Sequence, residues 1–224
     1  PKAGTGLSSH ELNQPGTYQD VTDTTIVAQF KTVADSLPNF LSQDTPVYFL
    51  AWTTTPWTLP SNTALTVGPK IDYVLVNSFN QYTFEPISVV LAKSLVTKQF
   101  SGKYYEVDHN EELDFSSSDK KIPYQIVKSF KGTDLVGIRY EQLLDYVLPH
   151  DHPENAFRVI SGDFVTTEGG TGIVHTAPTF GADDALVAKQ AEPEVPPMLV
   201  KDENGNLVPL VDLQGKFRSE VTEF

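Results

Sequence analysis

Apolar and β-branched positions in this chain fall in short bursts separated by Gly, Pro, Asn and Asp. That cadence belongs to a strand-rich fold. Residues 21–30 (VTDTTIVAQF) alternate loosely and predict a strand, and residues 31–46 are polar, broken by Pro38 and Pro46, and predict a loop with at most one helical turn. Residues 47–52 and 71–78 (IDYVLVNS) predict strands, the second being the clearest in the chain. In residues 85–100, Pro86 takes a first-turn position and Ile87, Val90, Leu91 and Leu95 follow at helical spacing, so a helix with one buried face is predicted. Residues 104–107, 122–130, 156–160 and 173–176 predict further strands, while 133–146 is left between loop and short helices. Residues 182–191 predict a helix with an acidic first turn, and 198–200 and 207–211 flank Asn204-Gly205, a hairpin signal. Residues 1–20 read as an irregular lead-in, and 115–121 and 150–155 as poorly structured. Many short strands with few helices imply a β-rich α+β fold, expected to be a closed β-barrel core with short peripheral helices.

Length leaves either one large β-rich domain or two small ones at 224 residues. With no firm boundary or internal repeat visible, a single domain over 1–224 is expected. Pro1 in place of Met implies a piece of something longer. The absence of cysteine excludes disulfides, thiolate metal sites and cysteine nucleophiles. Sixteen basic against 29 acidic residues give a net charge of −13, which argues against wrapping nucleic acid, because phosphates need a basic face. Lys120, Lys121, Lys128, Lys131 and Arg139 form only local basic clusters, so any nucleic acid is expected to be touched at a short end. No apolar run approaches the ~20 residues of a membrane span.

Chemistry concentrates in two segments. WTTTPWTLPSN (52–62) carries three threonines from a strand end into a helical turn opened by Pro56-Trp57. Hydroxyls, exposed backbone N–H groups and an indole thereby crowd one place, an arrangement suited to holding a small polar ester. GTGIVHTAPTFGADD (170–184) runs from a glycine turn through a strand to His175, then Pro178 and a helix opening at Gly181 with Asp183 and Asp184. Acids in a first helical turn oppose the helix dipole for about 0.3–1 kcal/mol each. A carboxylate nine residues after a histidine is equally placed to grip an ammonium group. His150-Asp151-His152 looks metal-like but lies in a polar loop without a further His or Cys nearby. No G-x-S-x-G elbow occurs, so a serine hydrolase is disfavoured.

Together the two segments resemble the editing domain inserted into class I isoleucyl-tRNA synthetases. The likeness extends through the lead-in (AGTGLSSHELNQPGTYQDVTDTTIVAQF) and the tail (NGNLVPLVDLQGKF), and Pro56-Trp57-Thr58-Leu59-Pro60 stands where leucyl and valyl editing domains usually carry Arg-Pro. Neither a HIGH nor a KMSKS signature is present, so the resemblance is to an editing module without its synthetic half. It implies hydrolysis of valine wrongly attached to the isoleucine tRNA, and of valyl-adenylate, by water attack in a pocket too small for isoleucine.

By position, the resemblance gives Thr53, Thr54 and Thr55 the role of lining the pocket around the ester and terminal ribose. Trp57 becomes an aromatic wall and Asn62 a polar residue linked to editing. His175 limits side-chain size, with a general-base role left open, and Asp184 binds the α-ammonium. The varying positions Thr176 and Thr179 receive no role. No cofactor or metal is implied. The partners implied are the aminoacylated 3′ end of the isoleucine tRNA and the remainder of the synthetase, with no membrane, a cytoplasmic location and a monomeric fragment. Two alternatives stay open: a non-catalytic barrel binding an RNA 3′ end or an amino acid, and a valyl-type editor removing threonine.

Overall fold

Strands β1 (Ile26–Lys31), β2 (Val47–Thr53), β3 (Ala64–Val67), β4 (Asp72–Phe79), β5 (Pro86–Ala92), β6 (Tyr104–Glu106), β7 (Ile122–Lys131), β8 (Arg158–Ser161), β9 (Ile173–Thr176), β10 (Leu199–Lys201) and β11 (Leu207–Pro209) carry most of the structure. Among the described residues the helices α1 (Val96–Gln99) and α2 (Ala182–Gln190) and several 3₁₀ turns accompany the strands. The protein is seen in a computed structural model that describes residues 10, 13–17, 24–108, 111–116, 119–212 and 214–222. Residues 1–9, 11–12 and 18–20 of the expected lead-in, and 21–23 of the first expected strand, lie outside the described residues.

The strands form a six-stranded sheet in the order β1-β2-β5-β4-β7-β6, a three-stranded sheet β8-β3-β9, and the hairpin β10-β11. In the large sheet β2–β5 and β6–β7 are parallel and the other pairs antiparallel. Alternation along β4 and β5 explains why both faces are apolar. Leu75, Val90 and Ala92 join Phe30 and Phe49 in the main core, while Val74, Val76, Val89 and Leu91 face a second cluster with Val96 and Phe100. The small sheet supplies Leu65, Val67, Val159 and Ile173 to the same main core. No sheet closes on itself among the described residues, so the expected barrel is not present as one hydrogen-bonded ring. The two larger sheets are instead tied by Ala92 N–H to the Thr171 carbonyl (2.8 Å) and by the Tyr73 hydroxyl to the Gly172 carbonyl (2.6 Å).

One expectation fails outright. Residues 86–92 form a strand, and only residues 96–99 of the expected helix are α-helical. A strand buried on both faces is apolar at nearly every position, so helical spacing can be picked out of it by chance. Pro86 fits there because it occupies the strand's first residue. Strand β3 escaped prediction for the same reason, since all four of its residues are buried and nothing alternates. The other strands, the helix α2 and the hairpin fall where the pattern placed them, within a few residues.

Two packing details seat the site. Gly172, just before β9, has φ +74°, and a Cβ there would collide with that of Ala92, so glycine lets β9 lie hard against β5. Helix α2 covers the outer face of the small sheet, burying Val187 and Ala188 against Ala64 and Ile160.

Candidate functional site

Strand β2 delivers Thr53 to the edge of the large sheet, and the chain then tightens into a 3₁₀ turn, Pro56–Ser61. Pro56 suits the first position because it lacks the N–H that such a turn leaves unpaired. Threonine hydroxyls replace the missing ladder. Thr53 Oγ1 accepts the Thr55 N–H at 3.0 Å, and the Thr58 hydroxyl donates to the Thr55 carbonyl at 2.8 Å. Thr54 is exposed, with no protein hydrogen bond to its hydroxyl among the described residues.

Strand β9 pairs antiparallel with β3, setting His175 opposite Leu65. The imidazole is only 8% exposed and is held on both sides. Its Nδ1 lies 3.0 Å from the Asn62 amide nitrogen, and its Nε2 lies 2.8 Å from Thr58 Oγ1. Asn62 is itself pinned, giving an N–H to the Ala64 carbonyl at 2.8 Å and accepting the Tyr140 hydroxyl at 2.6 Å. Nδ1 is therefore an acceptor and Nε2 carries the proton. Burial pushes the His175 pKa down to about 4, so the ring is neutral at physiological pH.

Asp184 projects from the first turn of α2, which begins after Gly181. Its Oδ2 accepts the Ala177 N–H at 2.9 Å. The missing side chain at Gly181 leaves room for the carboxylate, because a Cβ there would stand 3.0 Å from Asp184 Cγ. Burial raises the Asp184 pKa above the usual carboxylate value, the Ala177 hydrogen bond opposes this, and neighbouring Asp183 adds to the rise.

These elements border an open cavity of about 500 Å³. Thr53, Thr54, Thr55, Trp57, Thr58 and Trp52 form one side, and Val174, His175, Ala177, Phe180, Gly181 and Asp184 the other. Six of the seven residues singled out in the sequence thus line one space. Asn62 does not; it is 3% exposed and stands behind His175. With the imidazole neutral, Asp184 is the one charged group among the lining residues, so the cavity favours a cation next to an uncharged, hydroxyl-rich wall. Thr176 turns away from it, its hydroxyl bonded to that of Thr66 at 2.6 Å.

Sequence reasoning missed Thr58 and Tyr140. Thr58 lay in plain view, three residues after Thr55 in a helical turn. Tyr140 had no signal, because its partner Asn62 is distant in sequence. His150 and His152 are exposed beside Asp151 and Glu154, and among the described residues no three His, Asp or Glu side chains gather to hold a metal. Lys131 pairs with Asp72 and Arg139 binds the carbonyls of Glu154 and Ala156. No helix among the described residues is long and apolar enough to cross a membrane.

The buried imidazole has a consequence for stability. The folded pKa of about 4 lies below the usual 6.5, so between those values the unfolded chain binds the extra proton and stability is lost as the pH is lowered. The loss by pH 4.5 amounts to about 2–3 kcal/mol, with Asp184 acting in the opposite sense through its raised pKa. Denaturant melts at pH 6.5 and 4.5 are expected to show this difference shrink by that amount in His175→Gln. An equal loss in both proteins would mean that the ring is not held neutral.

In fold, the chain is similar to solved editing domains of leucyl-tRNA synthetases. The Plasmodium knowlesi cytosolic leucyl-tRNA synthetase editing domain matches with a TM-score of 0.53 at 13% identity, over 76% of this chain and 63% of that one. The GlLeuRS-CP1 structure matches with a TM-score of 0.51 at 17% identity, over 74% of this chain and 63% of that one. In sequence the chain belongs, as a segment, to the isoleucine–tRNA ligase family. It is 59% identical over its full 224 residues to the isoleucine–tRNA ligase of Cytophaga hutchinsonii, of which it spans 19%. Identity is 59% over 217 residues with that of Bacteroides fragilis and 40% over 195 with that of Picrophilus torridus, covering 18% and 15% of those proteins. The chain thus spans about a fifth of the length of the curated relatives it matches. No family model matches.

Proposed function

We propose that this chain is the proofreading module of an isoleucine–tRNA ligase, hydrolysing the ester of valine mischarged on the isoleucine tRNA, and valyl-adenylate, in the cavity between the threonine turn and α2. One observation carries the reading: a single carboxylate and a neutral, doubly held imidazole face a row of threonine hydroxyls across one space. Asp184 binds the α-ammonium of the amino acid through the oxygen that Ala177 does not occupy. A charge-assisted contact of this kind is worth about 1.5–3 kcal/mol. His175 stands as a rigid stop against the extra methylene of isoleucine. At about 500 Å³ the cavity is far roomier than a valine side chain, so selection rests on this local stop, and the remaining space takes the terminal ribose and Trp57 its aromatic wall.

Water is the nucleophile. Both imidazole nitrogens are engaged and the ring resists protonation, so His175 is not the base. An aminoacyl ester is already reactive, and orientation with hydroxyl donors at the oxyanion suffices. The Thr55 N–H is spent on Thr53, which leaves the hydroxyls of Thr53, Thr54 and Thr55 as the donors. The need for a second pocket follows from selectivity, since one methylene gives only about 1–3 kcal/mol in an apolar site; isoleucyl-tRNA synthetase is itself the standard example of that limit.

In this reading the two larger sheets act as halves of one barrel-like domain, the protein works in the cytoplasm as part of a longer synthetase, and tRNA is bound mainly by that remainder. The test is turnover. Valyl-tRNA carrying the isoleucine anticodon is expected to be deacylated well beyond one equivalent per chain, with isoleucyl-tRNA spared. Binding without turnover, or loss of threonine from a valine tRNA in preference, would contradict it.

A further inference from the structure

The hydrogen bonds behind His175 form a chain with a defined direction, and it starts at a residue outside the cavity. Tyr140 is 2% exposed. Its ring is clamped edge-on by Phe30 and Phe157, at centroid distances of 5.3 and 6.2 Å, and its backbone is fixed by a bond from its N–H to the Phe157 carbonyl and by a bridge to Thr32. So clamped, the hydroxyl meets one partner, Asn62 Oδ1, at 2.6 Å.

We propose that Tyr140 is a positioning residue which, through Asn62, fixes His175 as its Nε2–H tautomer and so sets the hydrogen-bond polarity of the wall that screens the substrate side chain. A primary amide has two faces that differ only in which atom donates, and nothing in the shape of Asn62 chooses between them. A phenol buried completely stays protonated, with its pKa raised by burial, and with Asn62 Oδ1 at 2.6 Å its O–H donates to Asn62. That holds Oδ1 toward Tyr140 and turns both amide hydrogens to the Ala64 carbonyl and His175 Nδ1. An acceptor Nδ1 requires the proton on Nε2, which donates to Thr58 Oγ1. The Thr58 hydroxyl must then donate onward to the Thr55 carbonyl, in the peptide that lines the cavity. Without the Tyr140 hydroxyl one of the constraints on the amide is lost and only the Ala64 and Thr176 carbonyls oppose the flipped face, in which Oδ1 meets Nδ1 and the imidazole proton moves to the opposite nitrogen. Thr58 would receive no proton from the ring and its own hydroxyl would be released from Thr55.

The inference rests on the proofreading reading only for its effect on selectivity; its tautomer readout needs no substrate. The measurement is ¹⁵N NMR of the whole chain labelled in histidine, with deacylation rates alongside. Wild-type His175 is expected to show the Nε2–H pattern unchanged between about pH 7.5 and 5.5. In Tyr140→Phe the Nδ1–H form should appear, and the preference for valyl over isoleucyl ester should fall by about 3- to 10-fold. Asn62→Asp, which can only accept, should move the proton to Nδ1 and raise the titration midpoint of the ring by more than about one unit. If Tyr140→Phe melts earlier but keeps a single Nε2–H tautomer and the same preference, the tyrosine is merely structural and the proposal is wrong. Should Tyr140→Phe fail to fold, Asn62→Asp decides: an Nε2–H tautomer retained there also overturns it. A shifted tautomer in a protein that hydrolyses no ester would leave Tyr140 as proposed and sink the proofreading reading instead.

Discussion

Replacing His175 with alanine is expected to make correctly charged isoleucyl-tRNA a substrate. The imidazole is the only bulky side chain that β9 presents to the cavity with both ends tied, to Thr58 and Asn62, so it cannot swing aside to admit a larger guest. Removing it opens space where the extra methylene would sit. Because such a group is worth about 1–3 kcal/mol, isoleucyl-tRNA deacylation should rise about 10- to 200-fold relative to valyl-tRNA. The substitution also strands one Asn62 N–H, while Thr58 keeps its bond to the Thr55 carbonyl, at a cost of roughly 1–3 kcal/mol in stability, which a melt will register without abolishing the fold. An unchanged ratio of the two rates would remove His175 from the screen.

Asp184→Asn is expected to suppress valyl-tRNA hydrolysis by about 10- to 150-fold, the loss of one charge-assisted contact. The amide keeps the size of the carboxylate and its oxygen can still accept the Ala177 N–H. Only the negative charge disappears, and with it the attraction for an ammonium. The helix terminus loses no more than about 0.3–1 kcal/mol, so the melting temperature should barely move. A collapse in stability, with catalysis in the surviving folded fraction intact, would mean that the carboxylate serves the start of α2 and nothing else.

How much of this was legible in the residues depended on what each position faced. Helix α2 was readable from the acidic first turn that follows Gly181, and strand β7 from its run of apolar and β-branched residues, although burial along the strand does not follow its period. Strand β5 was misread and β3 unseen, because strands buried on both sides carry no alternation to read. The site divides in the same way. Thr53 to Thr55, His175 and Asp184 stand at junctions between elements, where hydroxyl, imidazole and carboxylate have no packing purpose that would disguise them. The cavity that joins them depends on β9 lying beside β3, a pairing no local pattern records. The link from Tyr140 to Asn62 was illegible for a related reason, since 78 residues separate the partners and either alone reads as an ordinary buried polar side chain. The tautomer of His175 belongs to that link, which is why the general-base role stayed open until the surroundings of both nitrogens were known.

The most direct measurement is a crystal structure of the chain with a valyl-adenosine analogue whose ester is replaced by a non-hydrolysable amide. The account predicts the ammonium within about 2.7–2.9 Å of Asp184, the isopropyl group against the His175 ring, and the amide carbonyl turned toward Thr54 and Thr55. An analogue bound with its amino acid directed away from Asp184, or seated outside this cavity altogether, would contradict it.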